Sequence, residues 1–169
     1  FLTSRPESRR MEYVQERIAT LHDFDGAAPS APTDRAVVVV PMTARDHASL
    51  AAERVFSTLE TVDPRQVIVA LRADPDRVVD VATWLDSFDL SLETLWGSAP
   101  AVDSALTNAD IEGQRGKGRD VWLALGVAAA RGEDVVVHDA DAENYAPTHV
   151  PQLLFPLSRG YEFSKAYYA

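Results

Sequence analysis

The chain has 169 residues, of which 46% are hydrophobic, so it is long and apolar enough to form one domain with a buried core. It contains no cysteine, which excludes disulfide bonds and thiolate-based metal or redox sites. Its formal net charge of −10 would repel nucleic-acid phosphates, so we expect no nucleic-acid partner. It shows neither a signal sequence nor the roughly 18-residue apolar run of a membrane span, which predicts a cytoplasmic protein without a membrane partner.

Residues 1–35 are predicted to form an N-terminal extension and a linker. A short helical pattern at residues 11–17 is followed by a stretch with several Gly and Pro residues, 24–35, which is typical of a linker. We expect the folded domain to occupy residues 36–169.

Apolar strands alternate with amphipathic helices from residue 36 onward. Strands are predicted at 36–41, 66–71, 90–96 and 134–138, with a possible fifth at 160–168, and helices at 46–59, 74–88, 99–108, 120–130 and 147–157. The near-continuous Val and Ile runs are typical of parallel strands that are buried on both faces. The alternation predicts an α/β fold, a Rossmann-like and mostly parallel sheet with helices on both faces, in which ligands bind at the carboxyl ends of strands.

Two carboxylates follow the last of the main predicted strands. Three valines, residues 135–137, lead into His138, and Asp139, Ala140 and Asp141 come next. Residues two apart on an extended chain place their side chains on the same side, and buried carboxylates need a counter-charge. Paired carboxylate oxygens, completed by phosphate oxygens, suit Mg²⁺ or Mn²⁺. The alternative is a simple turn in which Asp139 caps the following segment.

Lys117 lies between two glycines just before a predicted helix. Gly116 and Gly118 would let the backbone approach a ligand, and a helix N-terminus favours anions, so Lys117 is a candidate phosphate contact. The segment is not a P-loop, because no Ser or Thr follows the lysine. A flexible solvent loop is the alternative. Lys117 and Lys165 are the chain's two lysines, and this acidic, lysine-poor composition is typical of salt-adapted proteins or of a GC-rich genome.

Aromatic and small residues alternate near the end of the sequence, at 161–168, which favours a half-buried strand with Lys165 and Tyr167 on one side. The four histidines show no metal-ligand spacing among themselves: His22, His47, His138 and His149.

In this order, the pieces resemble a known family. A strand ending in Pro, a Gly-Lys-Gly loop, a helix, an apolar strand leading into Asp-x-Asp and a final Phe-Ser-Lys-Ala-Tyr-Tyr resemble the GT-A glycosyltransferases related to family 2. They are most similar to the branch of glucosyl-3-phosphoglycerate and mannosyl-3-phosphoglycerate synthases, here of a salt-adapted, haloarchaeal type. The resemblance covers residues 36–169, and 116–169 is its specific part. It implies a retaining hexosyltransferase that binds a nucleoside-diphosphate sugar through Mg²⁺ or Mn²⁺ and uses a small phosphoglycerate-type acceptor.

The resemblance also assigns roles to individual residues. It places Pro41 and Thr43 in the nucleobase pocket, Arg45 where the family has a base-contacting Glu, Lys117 on the nucleotide or its diphosphate, Asp139 on the ribose and sugar, Asp141 on the metal, and Lys165 and Tyr167 toward the sugar and acceptor. The sequence departs from the family at Ala44-Arg45-Asp46, where Asn-Glu-Glu is usual, and at Leu71-Arg72-Ala73, where Asp-Ser-Gly is frequent.

The family's acceptor half, with a later His metal ligand, has no counterpart in these residues, so the resemblance implies a truncated, donor-binding half. One alternative is a phosphatase of the haloacid-dehalogenase type, which needs Thr or Val where Ala142 stands. Another is a non-catalytic nucleotide-binding or interaction module left by the truncation. Apolar surface exposed by a missing half would favour homo-oligomers.

Overall fold

The computed structural model describes residues 28–111, 113–132 and 134–166. A short 3-10 turn at Thr33–Arg35 leads into the sheet. The strands are β1 Ala36–Thr43, β2 Gln66–Arg72, β3 Leu92–Trp96 and β4 Asp134–Val137. The helices are α1 Leu50–Val62, α2 Pro75–Leu85, α3 Pro100–Asn108, α4 Lys117–Ala129 and α5 His149–Ser158. The helix predicted at 11–17 lies outside the described residues, and the division at residue 35 stays a prediction.

The four strands form one parallel sheet in the order β3-β2-β1-β4. The chain runs outward from β1 through β2 to β3, and then returns to place β4 on the other side of β1. β1 and β4 are therefore neighbours in the sheet, but the chain leaves β1 toward β2, away from β4. A crevice opens at the carboxyl ends of such a strand pair, which is where parallel α/β sheets bind ligands.

Helices cover both faces of the sheet, as the sequence predicts. On one face Val38 and Val40 pack with Phe56 of α1, Leu85 of α2 and Leu154 of α5. On the other face the neighbouring strand residues, which point the opposite way, pack against Ala124 and Ala128 of α4. The small alanine side chains allow α4 to lie close to the sheet. The α/β fold with a parallel sheet is therefore confirmed.

Pro41 lies inside β1, a central strand, although proline cannot donate a hydrogen bond to a neighbouring strand. The carbonyl of Val39 faces β4, because it accepts a 3.1 Å hydrogen bond from the His138 N–H. Residues two apart point their backbone groups to the same side, so the missing N–H of Pro41 also faces β4. Since β4 ends at Val137, opposite Val39, no donor is needed there. Pro41 marks the place where β1 extends beyond β4.

Two predicted helix starts and one predicted strand are wrong, each for a local reason. The first helix begins at Leu50 rather than 46, because the preceding residues form a turn and the Ser49 hydroxyl accepts from the Ala52 N–H at 3.2 Å. The helix predicted from 120 already begins at Lys117, so this lysine is not in a loop. The possible fifth strand is absent from residues 160–166, because an alternating pattern does not by itself supply a hydrogen-bonding partner strand.

None of the helices in the described residues is both long and apolar enough to cross a membrane. Several large apolar side chains are exposed on different elements, including Leu50, Val79 and Trp122. Self-association stays a prediction.

Candidate functional site

A cleft of about 240 Å³ opens at the carboxyl ends of β1 and β4, at the position that the strand order indicates. The cleft brings together five residues that the sequence singles out, from three separate parts of the chain: Pro41, Thr43, Lys117, Asp139 and Asp141. The end of β1 supplies the first two, the start of α4 supplies the lysine, and the segment after β4 supplies the carboxylates. Arg45 does not line this cleft, and its side chain is exposed.

The turn after β1 is held by Asp46 rather than by Arg45. One carboxylate oxygen of Asp46 accepts hydrogen bonds from the N–H of Thr43 at 2.7 Å and from its hydroxyl at 2.9 Å. The same hydroxyl accepts from the Arg45 N–H at 3.3 Å. Asp46 thereby fixes the position of Thr43 at the mouth of the cleft and lines the cleft itself.

Lys117 and Asp139 form an ion pair across the cleft. The ammonium Nζ of Lys117, at the first residue of α4, lies 2.7 Å from Oδ1 of Asp139. Both side chains are about half exposed, at 57% and 52%. An ion pair as open to water as this one contributes less than about 1 kcal/mol, so either partner can be exchanged for another charge at little cost.

The two aspartates after β4 flank a buried residue. Ala140 packs into the core, whereas Asp139 and Asp141 on either side of it are exposed and face the cleft. Oδ1 of Asp139 accepts a hydrogen bond from Lys117, and the metal-ligand role of the Asp pair stays a prediction. The described residues contain no group of three or more His, Cys, Asp or Glu side chains arranged around one metal position.

Two further cleft residues, Arg72 and Asp120, were not identified from the sequence as site residues. Arg72 ends β2, and Asp120 is buried, with only 3% of its surface exposed. Burial raises the pKa of the Asp120 carboxyl, while attraction by Arg72 and Arg119 lowers it. The spacing of the sequence could have identified Asp120 as a site residue. In a helix that begins at Lys117, residues three apart lie on the same side, so Asp120 faces the same way as Lys117.

Behind the cleft lies a larger groove of about 750 Å³, which runs along the outer edge of β4, past α5 and the segment 162–166. Lys165 lines this groove and not the cleft, while Tyr167 lies outside the described residues. Asp139 and Asp141 line both recesses, so they stand at the junction between them.

His138 and His149 line the groove near this junction and belong to an aromatic cluster. The ring of His138 packs edge-on against Tyr145, at 4.8 Å between centroids, and stacks on His149 at 6.3 Å. Burial lowers the pKa of His138 to about 4, repulsion by His149 acts in the same direction, and Asp139 opposes both. Its Nε2 atom is buried without a hydrogen-bond partner in the described part of the chain. His138 is therefore a neutral packing residue at neutral pH.

No known protein-family profile matches the chain. Among curated proteins it is similar to the glucosyl-3-phosphoglycerate synthase of Methanococcoides burtonii, with 27% identity across 94% of this chain and 44% of the relative. It is also similar to the glucosyl-3-phosphoglycerate synthase of Persephonella marina, with 27% identity across 62% of this chain and 28% of the relative. The chain thus spans less than half the length of these relatives.

The chain is related to GT-A-like glycosyltransferases of this kind, which confirms the resemblance found in its sequence. The salt-adapted origin stays a prediction, since neither the fold nor the relatives test it.

Proposed function

We propose that the chain is the donor-binding part of a metal-dependent hexosyltransferase, which takes a hexose from a nucleoside-diphosphate sugar and passes it to a small phosphoglycerate-type acceptor. The observation that carries this proposal is the convergence of Lys117, Asp139 and Asp141 on one cleft at the switch point of the sheet. The names of the two relatives supply the hexose and the acceptor class.

In this proposal the diphosphate lies at the start of α4. The first turn of a helix presents unpaired N–H groups and a partial positive charge, both of which favour phosphate. Gly116 is extended at this helix start, and no atom lies within 4 Å of where a side chain would begin. Lys117 adds a full positive charge at the same place. Because its ion pair with Asp139 is half exposed, Lys117 can turn to the phosphate at little cost.

The carboxylates of Asp139 and Asp141 would hold Mg²⁺ or Mn²⁺ at the junction of the two recesses. Two protein carboxylates are enough for such a site, because Mg²⁺ keeps several waters and takes further ligands from substrate phosphates. A divalent cation bound there would stabilise the negative charge that develops on the departing diphosphate. Both carboxylates are exposed to the cleft, so the residues present fit the cation.

The groove beside β4 is the proposed place for the acceptor. It meets the cleft at Asp139 and Asp141, so an acceptor in the groove would approach the sugar end of a donor in the cleft. Lys165 offers this groove a positive charge for a phosphate or carboxylate group. The resemblance assigns Tyr167 to the same acceptor region.

The first test is calorimetric titration of UDP and GDP, with and without Mn²⁺, against the native chain and the Asp141→Ala variant. We expect one nucleotide to bind in a Mn²⁺-dependent manner, and we expect Asp141→Ala to abolish that dependence. Asp86→Ala, which removes an exposed carboxylate at the end of α2, is the matched control and should bind like the native chain. Unchanged Mn²⁺-dependent binding in Asp141→Ala, or no binding by a folded chain, would overturn the proposal.

A nucleotide-binding module without turnover is the second candidate, since the chain aligns with only 44% of the Methanococcoides relative. Nucleotide binding with no hexose transfer to 3-phosphoglycerate would favour it.

A further inference from the structure

The segment between β4 and α5, residues 138–148, carries both carboxylates that we propose as ligands of the cation. It forms neither a helix nor a strand, so no regular hydrogen-bond ladder fixes its course. It begins at the 3.1 Å hydrogen bond from the His138 N–H to the carbonyl of Val39. A metal ligand must keep its position to within about 0.5 Å, so further contacts have to hold Asp141 in place.

Two buried side chains anchor this segment from inside. Ala140 comes directly before Asp141 and is 2% exposed, and Tyr145 comes four residues after Asp141 and is 5% exposed. Both belong to the core on the α1 side of the sheet, against which Ala142 packs only partly. Asp141 and Glu143 lie between the two anchors and are exposed. Apolar packing therefore fixes the ends of this short stretch and leaves its exposed middle to polar contacts.

Arg54 of α1 supplies a polar contact to that middle. Its Nη1 atom donates a hydrogen bond to the backbone carbonyl of Glu143, which is 89 residues away in the sequence. The helix that carries Arg54 is held in the core by the fully buried Phe56 and Leu59. Because the bond is made to the backbone, it fixes the course of the chain two residues after Asp141, independently of the Glu143 side chain.

The side chain of Arg54 stands apart from both recesses. It is exposed, and no residue of α1 lines the cleft or the groove. Arg54 therefore reaches the segment from outside the surfaces that we propose for the donor and the acceptor. Its positive charge would repel a divalent cation, so a favourable effect of Arg54 on cation binding has to come from the position that it gives to the ligand.

We propose that Arg54 is a positioning residue for the cation site, which keeps the Asp141 carboxylate turned to the cleft by holding the carbonyl of Glu143. This inference rests on the proposed function, since it takes Asp141 as a ligand of the cation. It extends the site to a helix that lines neither recess.

The test measures the affinities for UDP and GDP by calorimetry, with and without Mn²⁺, in the native chain and in the Arg54→Met and Arg54→Lys variants. Arg54→Met should reduce the gain in affinity that Mn²⁺ gives by about 10-fold, since a residue that orients a metal ligand contributes about that factor. The affinity without Mn²⁺ should stay native, because Arg54 lines neither recess. Arg54→Lys keeps the charge and an N–H donor and should recover most of the gain.

Arg77→Met is the matched control, because Arg77 is an exposed arginine in the first turn of α2 and its loss changes the net charge equally. Loss of a positive charge by itself should leave the gain unchanged or raise it, so the sign of the effect separates position from charge. A native gain in Arg54→Met, or an equal loss of affinity without Mn²⁺, would overturn this inference and leave the proposed function intact. Absence of Mn²⁺-dependent binding in the native chain would overturn both.

Discussion

The two walls of the cleft differ in how firmly the fold holds them. One wall is formed by β1, β2 and α4, and its strands lie in the middle of the sheet with neighbours on both sides. The other wall follows β4, a four-residue edge strand that pairs with β1 alone. Val39 of β1 is fully buried, whereas its partner Val137 on β4 is 40% exposed. The firm wall carries Arg72, Lys117 and Asp120, and the edge wall carries Asp139 and Asp141, the carboxylates proposed to hold the metal.

The largest expected effect concerns acid sensitivity of the edge wall. Because the pKa of His138 is about 4 in the folded chain and about 6.5 when unfolded, the unfolded state binds more protons between these values. Lowering the pH from 6.5 to 4 therefore reduces the free energy of unfolding, by about 3 kcal/mol in total. Above pH 6.5 this contribution is fully present. Urea unfolding from pH 7 to pH 4 without divalent cations measures it.

The control for acid sensitivity is His138→Phe, which keeps a ring against Tyr145 but cannot titrate. As the pH is lowered from 7 to 4, the unfolding free energy of this variant should fall less steeply than that of the native chain. Equal slopes would show that His138 does not contribute to the acid sensitivity of the fold.

A matched valine pair tests the difference between the walls directly. Val39→Ala removes two carbon atoms from a fully buried position and should cost about 2–3 kcal/mol of unfolding free energy. Val137→Ala removes the same atoms from the facing residue of β4 and should cost less than about 1 kcal/mol, because that side chain is already partly in water. Similar losses in chemical denaturation would show that β4 is as firmly held as β1.

A pair of glycines tests the packing of the firm wall. Gly97→Ala should destabilise the chain by roughly 1–2 kcal/mol, because the new Cβ would collide with the Asp120 carboxylate. Gly126→Ala, inside α4 and with no atom near the new methyl group, should instead stabilise the chain by about 0.5–1 kcal/mol. Thermal unfolding of both variants gives the comparison. The loss from Gly97→Ala should shrink in an Asp120→Ala background, and an unchanged loss would place the clash elsewhere.

The smallest expected effect concerns the ion pair between Lys117 and Asp139, which connects the two walls. Lys117→Gln removes the half-exposed ion pair with Asp139 and should change the unfolding free energy by less than about 1 kcal/mol. Salt should weaken whatever contribution the native pair makes, since exposed charges are screened. Unfolding at low and high KCl measures both. A loss well above 1 kcal/mol would mean that Lys117 is a structural residue rather than one free to meet a phosphate.

Residue patterns predict much of the fold, but they identify only some of the residues that line the cleft. The short runs of Val and Ile in β1 and β2 predict buried parallel strands, because continuous β-branched sequence is typical of strands that helices cover on both faces. The valines of β4 predict a strand equally well, but they do not reveal that it lies at the edge of the sheet. Asp139 and Asp141 were found because they directly follow a strand. Arg72 and Asp120 were missed because their meeting depends on the approach of α4 to β2, which no local pattern encodes. Arg45 was placed by analogy alone, while its neighbour Asp46 lines the cleft.

The scarcity of lysine gives the molecule a natural pair of chemical reporters. Its two lysine side chains lie in different recesses, Lys117 in the cleft and Lys165 in the groove. An amine-selective acylating reagent would therefore modify each recess at a single known side chain, and mass spectrometry of the two peptides would separate the signals. Slower acylation of one lysine on adding a ligand would show which recess the ligand occupies, with no engineered label in the chain.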